Sequence, residues 1–146
     1  MTIRVVVAEP GKPAEVREIL SGGDALRAIV GGWLECLPLW DGEHDIWINE
    51  EGKLLELAPN RMVRAPGCNG EAWDIVGALV VTAHNDEGET TSLSPAAAAR
   101  IADALTMRAE VAMRSVHVEE DANILRRRAG REARWRRALE VAAVLV

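Results

Sequence analysis

The sequence contains no phenylalanine and no tyrosine, so its five tryptophans supply every large aromatic side chain. We expect the four tryptophans that fall in or beside predicted strands to provide the aromatic bulk of a sheet core. Lysine is also scarce, with two Lys against fifteen Arg. Low Phe, Tyr and Lys content together is typical of a GC-rich genome. The four tryptophans are Trp33, Trp40, Trp47 and Trp73.

Cysteine is limited to Cys36 and Cys68, and no apolar run approaches the ~20 residues needed to cross a bilayer. The chain does not open with the basic and apolar regions of a secretory signal. Since thiols stay reduced in the cytosol, two free thiols are expected. These features predict a cytoplasmic protein of a bacterial cell.

The common catalytic and cofactor motifs are missing. The sequence has no Gly-x-Ser-x-Gly elbow, no Walker loop and no Gly-x-Gly-x-x-Gly. A calcium loop starting at Asp41 fails, because its sixth position is Ile46 and its twelfth is Gly52. Neither cysteine has the close Cys or His companion of a zinc site. We therefore expect no cofactor, no metal and no enzymatic activity, although a site assembled from distant residues stays an alternative.

Charge is distributed unevenly along the chain. Residues 1–93 carry seven Lys/Arg and sixteen Asp/Glu, a net of −9, whereas residues 94–146 carry ten Arg and seven Asp/Glu, a net of +3. The acidic first part disfavours nucleic-acid binding by the whole surface, because attraction to phosphates needs clustered cations.

Hydrophobic patterning predicts an α+β protein whose sheet is antiparallel or mixed, with four to six short strands. A short helix covers residues 25–30, with Ser21 as its N-cap and Gly31-Gly32 as its end. Residues 61–71 are interpreted as a loop, and residues 75–83 as a central strand. The other predicted strands cover residues 3–8, 16–20, 33–39, 45–49 and 91–93. The expected core residues are Val5, Val7, Ile29, Leu34, Ile46, Ile48, Ile75, Leu79 and Val81.

A second helix is predicted to start at Ser94-Pro95, because Ser is a good N-cap and Pro suits the first helical turn. Ile101 and Leu105 begin an apolar stripe on it. We divide the chain into an α+β domain, residues 1–94, and a C-terminal helical extension packed on it, residues 95–146.

Four stretches carry a resemblance to a known family. They are Ile29-Val30-Gly31-Gly32-Trp33-Leu34-Glu35, Asn49-Glu50-Glu51-Gly52-Lys53-Leu54, Leu57-Ala58-Pro59-Asn60-Arg61 and Asp74-Ile75-Val76-Gly77-Ala78-Leu79-Val80-Val81. Together they resemble domain-of-unknown-function family 3846, small proteins encoded mainly by bacteriophages, conjugative plasmids and actinobacterial hosts. The resemblance covers residues 1–95, with its tightest part in residues 29–81, and it implies an accessory role on a mobile element without a known reaction.

Asn60 and Arg61 are the pair most typical of that family. Together with Lys53, Glu35 and Trp47 they form the candidate binding site, because an Asn–Arg pair suits a phosphate or a carboxylate. The alternative, which we favour, is structural: Arg61 would close the sheet edge by pairing with Glu35 or Glu56.

Residues 126–137 contain seven Arg against the single acid Glu132. On a continuous helix Arg127, Arg131 and Arg134 would share one side, with Trp135 as an apolar anchor. We expect this segment to pack on protein, in the same chain or in a homodimer. The acidic candidates within the chain are Glu43, Asp45, Glu50, Glu51 and the Asp86–Glu89 loop.

Two functions follow from these observations. The first is a non-catalytic accessory protein that binds a host protein or a small nucleotide, for example to counter host defence. The second is a nucleic-acid-binding regulator that uses the Arg-rich C-terminal segment.

Overall fold

The computed structural model describes residues 1–66 and 72–106 of the chain. Within these ranges it forms eight strands and two helices, which confirms the predicted α+β class. Their bounds in chain order are β1 (Thr2–Ala8), β2 (Glu15–Leu20), α1 (Gly23–Val30), β3 (Leu34–Pro38), β4 (Asp45–Asn49), β5 (Pro59–Arg64), β6 (Ala72–Val76), β7 (Leu79–His84), β8 (Thr90–Thr91) and α2 (residues 95–106).

The main sheet is antiparallel at every pairing and has the strand order β2-β1-β7-β4-β3, with β8 pairing to the last two residues of β7. β7 lies in the middle, as its apolar sequence predicts, and β2 and β3 are the two edges. Because β1 and β4 both run against β7, the C-terminal ends of β1 and β4 lie at the same end of the sheet, beside the start of β7.

Two hydrophobic layers cover the sheet. On one face Val5, Val7 and Val80 pack with Leu26 and Val30 of α1. On the opposite face a larger cluster joins the sheet to the β5–β6 hairpin and to α2, because successive strand residues point to opposite sides. The members of that cluster include Val6, Ala8, Ile46, Val63, Ile75, Leu79, Val81, Leu93, Ala98, Ile101 and Leu105.

Helix α1 ends as predicted and begins differently. Gly31 takes the left-handed conformation with φ 82° and donates its N–H to the Arg27 carbonyl, as a C-cap should. The expected N-cap at Ser21 is wrong: Gly22 occupies that position, and no side chain caps the helix. The chain reaches Gly22 with φ 123°, which glycine tolerates and serine does not.

Two segments between β4 and β7 correct the sequence prediction. Residues 61–71 were expected to be a loop, but residues up to Arg64 belong to β5, which pairs with β6. The predicted single strand over residues 75–83 is split at Gly77, whose φ of 74° turns the chain. As a result Ile75 lies in the two-stranded sheet and Leu79 in the main sheet.

Helix α2 begins at the predicted place. The Ser94 hydroxyl accepts the N–H of Ala97 at 3.1 Å, which satisfies one of the free donors of the first turn. Ala98, Ile101 and Leu105 are buried in the same cluster as the strands. Residues 95–106 are therefore part of the α+β unit, and the remainder of the predicted extension, residues 107–146, lies outside the described residues.

Most of the expected core is buried, with exceptions at the helix and at the β3–β4 side. Ile29, Leu34 and Ile48 are only partly buried. Trp33 is 64% exposed, so it does not join the core as expected. Trp40, Trp47 and Trp73 pack partly buried against the two clusters. Across residues 1–66 and 72–106 no helix combines the length and apolar character that a membrane span requires.

Candidate functional site

Asn60 lies on β5 and is buried, with its side chain used entirely inside the protein. Its amide nitrogen Nδ2 donates to the carbonyl oxygens of Ala8 at 2.9 Å and Gly77 at 2.7 Å. Its Oδ1 accepts from the Nε of Arg61 at 2.6 Å. One side chain thus connects β5 to the end of β1 and to the turn that separates β6 from β7.

Arg61 is fully buried, and backbone carbonyls surround its guanidinium group. Nη1 donates to the carbonyl oxygen of Leu105 at 2.5 Å, and Nη2 donates to those of Glu9 at 3.0 Å and Lys12 at 2.8 Å. Burial lowers the pKa of the guanidinium to about 10, which leaves it charged at neutral pH. The partial negative charge of these oxygens is what offsets the buried cation.

The pair therefore acts as a clamp, here called the Asn60–Arg61 clamp. It holds β1, the β1–β2 loop, the β6–β7 turn and α2 together. Arg61 bonds within the chain, as the structural alternative supposed, but the expected pairing with Glu35 or Glu56 is wrong. Glu35 and Glu56 are both exposed, and carbonyl oxygens replace them. Because the clamp is buried, it has no exposed donor to offer to a phosphate.

The other three candidate residues do not gather around the clamp. Lys53 is exposed, with its Nζ 3.8 Å from a carboxylate oxygen of Asp74. Glu35 is exposed on the edge strand β3. Trp47 lies on the α1 side of the sheet, half-buried, and its Nε1 donates to the Thr82 hydroxyl at 2.8 Å. The candidates of the Arg-rich segment, Arg127, Arg131, Arg134 and Trp135, lie outside the described residues.

A different surface stands out at the end of the sheet where β1 and β4 finish. Residues 50–56, here called the leucine turn, expose Leu54 by 85% and Leu55 by 55%. The carboxylates of Glu50, Glu51 and Glu56 are exposed in the same turn. Within residues 1–66 and 72–106 none of these three acids forms an ion pair.

The base of the leucine turn is fixed although its tip is exposed. Asn49 is buried and connects it to α1, because its Nδ2 donates to the Val30 carbonyl at 3.2 Å and its Oδ1 accepts the Glu51 N–H at 2.8 Å. Gly52 packs so closely that a Cβ there would lie 2.9 Å from a methyl group of Val76. The packed and hydrogen-bonded base of the turn thus keeps Leu54 and Leu55 exposed to solvent.

Trp33 lies beside this turn, since its carbonyl accepts the Glu50 N–H at 2.8 Å. The guanidinium carbon of Arg27 lies 5.4 Å from the centre of the Trp33 ring, within cation–π range. The Nη2 of Arg27 also donates to Asp24 at 2.6 Å. Sequence reasoning assigned Trp33 to the core; the signal for exposure was its place directly after Gly31-Gly32, where the chain leaves α1.

The β3–β4 turn contains the described group nearest to metal-site spacing. Donor atoms of Asp41, Glu43 and His44 lie within 4.8 Å of one another. Two of these residues already bind each other, because His44 Nδ1 lies 2.6 Å from Asp41 Oδ2. Burial acts to raise the pKa of Asp41, but hydrogen bonds from the Glu43 backbone and from His44 outweigh it and lower the pKa. These contacts explain Asp41 as a stabiliser of the turn.

Three polar residues lie in a row on neighbouring strands, in the order Cys36, Asp45 and His84. Because Asp45 lies between the thiol and the imidazole, this arrangement does not activate the thiol. His84 Nδ1 is 2.9 Å from Asp45 Oδ2, so the imidazole is paired with the acid. Partial burial, followed by the charge of Asp45 and a hydrogen bond to it, raises the pKa of the Cys36 thiol to about 11. A nucleophilic cysteine needs the opposite shift.

The fold and the clamp define a small α+β protein in which an antiparallel sheet lies between a short helix on one side and a hairpin with a second helix on the other. The family model described as "Domain of unknown function (DUF3846)" matches residues 3–106, and the chain belongs to this family. The match runs past residue 95 and takes in the whole of α2 as described. Neither the curated proteins nor the solved structures contain a significant match.

Proposed function

We propose that this is a non-catalytic accessory protein of a phage or mobile element that acts in the bacterial cytoplasm by binding a host protein through the leucine turn. One observation carries the proposal: Leu54 and Leu55 point into solvent from a turn whose base is packed and hydrogen-bonded. The resemblance to proteins of phages and plasmids supports the proposed genetic context, and interference with host defence is the role that we propose for such a protein.

The energetics favour a partner at this surface. Burying a leucine side chain stabilises by roughly 1.5–3 kcal/mol, so a partner that covers both exposed leucines would be bound with a substantial favourable free energy. Because Asn49 and Gly52 already fix the base of the turn, little ordering is needed when a partner binds. The exposed acids around the leucines would set the rim of the contact and select a partner with basic residues.

An affinity capture from host lysate tests this function. The bait proteins are the wild type, the double variant Leu54→Ser/Leu55→Ser, and Leu20→Ser as a matched control. Leu20 is also an exposed leucine, 66% accessible, but lies on the edge strand β2. A host protein retained by the wild type and by Leu20→Ser, and lost with the double variant, supports the proposal. Equal retention by all three baits argues against it.

Binding of a small nucleotide is the second form of this function, and the Arg27–Trp33 pair favours it. One face of an exposed tryptophan next to a guanidinium can stack a base. Titration with nucleotides should then quench tryptophan fluorescence in the wild type and not in Trp33→Ala. Wild-type fluorescence that stays unchanged at millimolar nucleotide argues against nucleotide binding at this pair.

A nucleic-acid-binding regulator is the alternative function, carried by the arginines at 127, 131 and 134 of the sequence. Binding to generic DNA should then weaken steeply with salt, because neutralising phosphates releases counterions. Replacing these three arginines with glutamine should abolish that binding. Weak binding with little salt dependence argues against a nucleic-acid-binding regulator.

A further inference from the structure

The leucine turn has a chemical complement within its own chain. The turn carries two exposed leucines and three exposed acids without ion pairs among the described residues. Residues 126–137 carry seven arginines, Glu132 as the only acid, and Trp135. The acids of the turn and the arginines of the segment are therefore complementary in charge, and both sides also carry large apolar side chains.

The place where the chain leaves the described structure supports the same pairing. Thr106 is the last described residue of α2, and its hydroxyl accepts the N–H of Ala14 at 3.0 Å. The carbonyl of the preceding Leu105 is bound by Arg61. Both contacts lie beside the β1–β2 loop, which is at the same end of the sheet as the leucine turn.

The chain is long enough to connect the two places. Only β7 separates β1 from β4 in the sheet, which puts their ends about 10 Å apart at the usual strand spacing. Residues 107–125 precede the first arginine of the basic segment. Nineteen residues can span up to about 60 Å when extended, so reach does not limit the contact.

We propose that residues 126–137 of the same chain dock on the leucine turn when no other partner is bound. Arginines of this segment pair with Glu50, Glu51 and Glu56, and Trp135 covers Leu54 and Leu55. The segment then competes with the host protein for this surface. The competition rests on the proposed function, whereas the docking does not depend on it.

Trypsin accessibility of the full-length protein tests the docking without any host protein. Trypsin cleaves after arginine, and intact-mass analysis reports the rate of cleavage within residues 126–137. We expect this rate to rise roughly fivefold to tenfold in Glu50→Gln/Glu51→Gln/Glu56→Gln, since three surface ion pairs would be lost. Leu54→Ser/Leu55→Ser should also accelerate cleavage. About 1 M salt should accelerate it in the wild type, because screening then extends over about 3 Å.

The matched control is Asp86→Asn/Glu87→Gln/Glu89→Gln, which removes three acids from the β7–β8 loop at the opposite end of the sheet. This control should be cleaved at the wild-type rate. The proposal is overturned if the control accelerates cleavage as much as the turn variants, or if the turn variants match the wild type. If trypsin cleaves the wild type faster after dilution, the segment that covers the turn belongs to a second copy of the chain. This result also overturns docking within one chain.

Competition has its own readout. If docking is confirmed, replacing Arg127, Arg131 and Arg134 with glutamine should increase the amount of host protein captured through the leucine turn severalfold. If docking is confirmed and no host protein is captured by either form, the competition and the proposed function fail while the intramolecular contact stands.

Discussion

The guanidinium of Arg61 donates to the carbonyl oxygen of Leu105, forty-four residues further along the chain, and so ties β5 directly to α2. The same group reaches the carbonyls of Glu9 and Lys12. A single buried side chain thus fixes the relative positions of three segments that are distant in sequence.

Arg61→Ala should cost about 3 kcal/mol of stability or more, because it leaves buried carbonyl oxygens without partners and opens a cavity. Thermal or urea unfolding followed by circular dichroism measures the loss. Arg64→Ala is the matched control, since Arg64 is exposed on the same strand and its loss should change stability by no more than about 0.5 kcal/mol. An Arg61→Ala protein of unchanged stability that no longer captures its partner would make Arg61 a recognition residue instead.

Gly77→Ala should be more destabilising than Gly88→Ala. Both glycines have a left-handed backbone, with φ of 74° and 81°, so each substitution carries the same backbone cost of roughly 1 kcal/mol. Only at Gly77 would the new Cβ collide, at 2.8 Å from Leu57 Cδ1, whereas Gly88 has open space around it. The difference between the two unfolding free energies measures the collision. It should shrink in a Leu57→Ala background; a difference that persists there contradicts this cause.

Ser94→Ala should destabilise the protein by about 1 kcal/mol, because the N–H of Ala97 loses its hydroxyl acceptor at the start of α2. Ser21→Ala should have little effect, since no side chain caps α1. The comparison is informative because both serines look like N-caps in the sequence. Equal losses of unfolding free energy for the two variants would show that the hydroxyl of Ser94 is not the source of the effect.

Cys36 should react slowly with iodoacetamide at pH 8. A pKa of about 11 instead of 9.0 lowers the thiolate population about a hundredfold. A more basic thiolate is also more nucleophilic, which recovers part of the lost reaction rate. The net slowing is therefore about tenfold against an unperturbed thiol. Asp45→Asn should recover only part of the rate, because burial is the larger cause of the shift. Peptide mapping separates Cys36 from Cys68, and Asp24→Asn is a control that should leave the rate unchanged.

Local patterns were enough to predict the elements whose residues alternate or end in clear signals. β1 is rich in valine and β4 alternates between faces, so Val5 and Ile46 were assigned to the core correctly. Gly31 ends α1 and Ser94 begins α2 as expected. In each case the determining interactions lie within a few residues of one another, and a sequence displays such interactions directly.

The wrong predictions concern segments whose structure depends on contacts with residues far away in the sequence. β5 contains a proline, an asparagine and two arginines, so nothing in it resembles a strand until Asn60 and Arg61 are seen to bond with carbonyls of other segments. Gly77 lies inside an apolar run and looks like part of one strand, yet it takes a φ of 74° and donates its N–H to the carbonyl of Ala58, nineteen residues earlier. Leu54 and Leu55 are equally apolar in the sequence whether buried or exposed, and only the fold shows that they face solvent.

The pairing of β1 with β7 has a consequence for synthesis on the ribosome. β1 is among the first residues to emerge, and β2 can close one of its edges at once through a short connection. Its other edge stays open until residues 79–84 have left the exit tunnel. Throughout that interval the three consecutive valines of a strand that becomes buried, Val5, Val6 and Val7, are exposed to neighbouring nascent chains. Slowing translation between β2 and β7 should therefore lower the yield of folded protein.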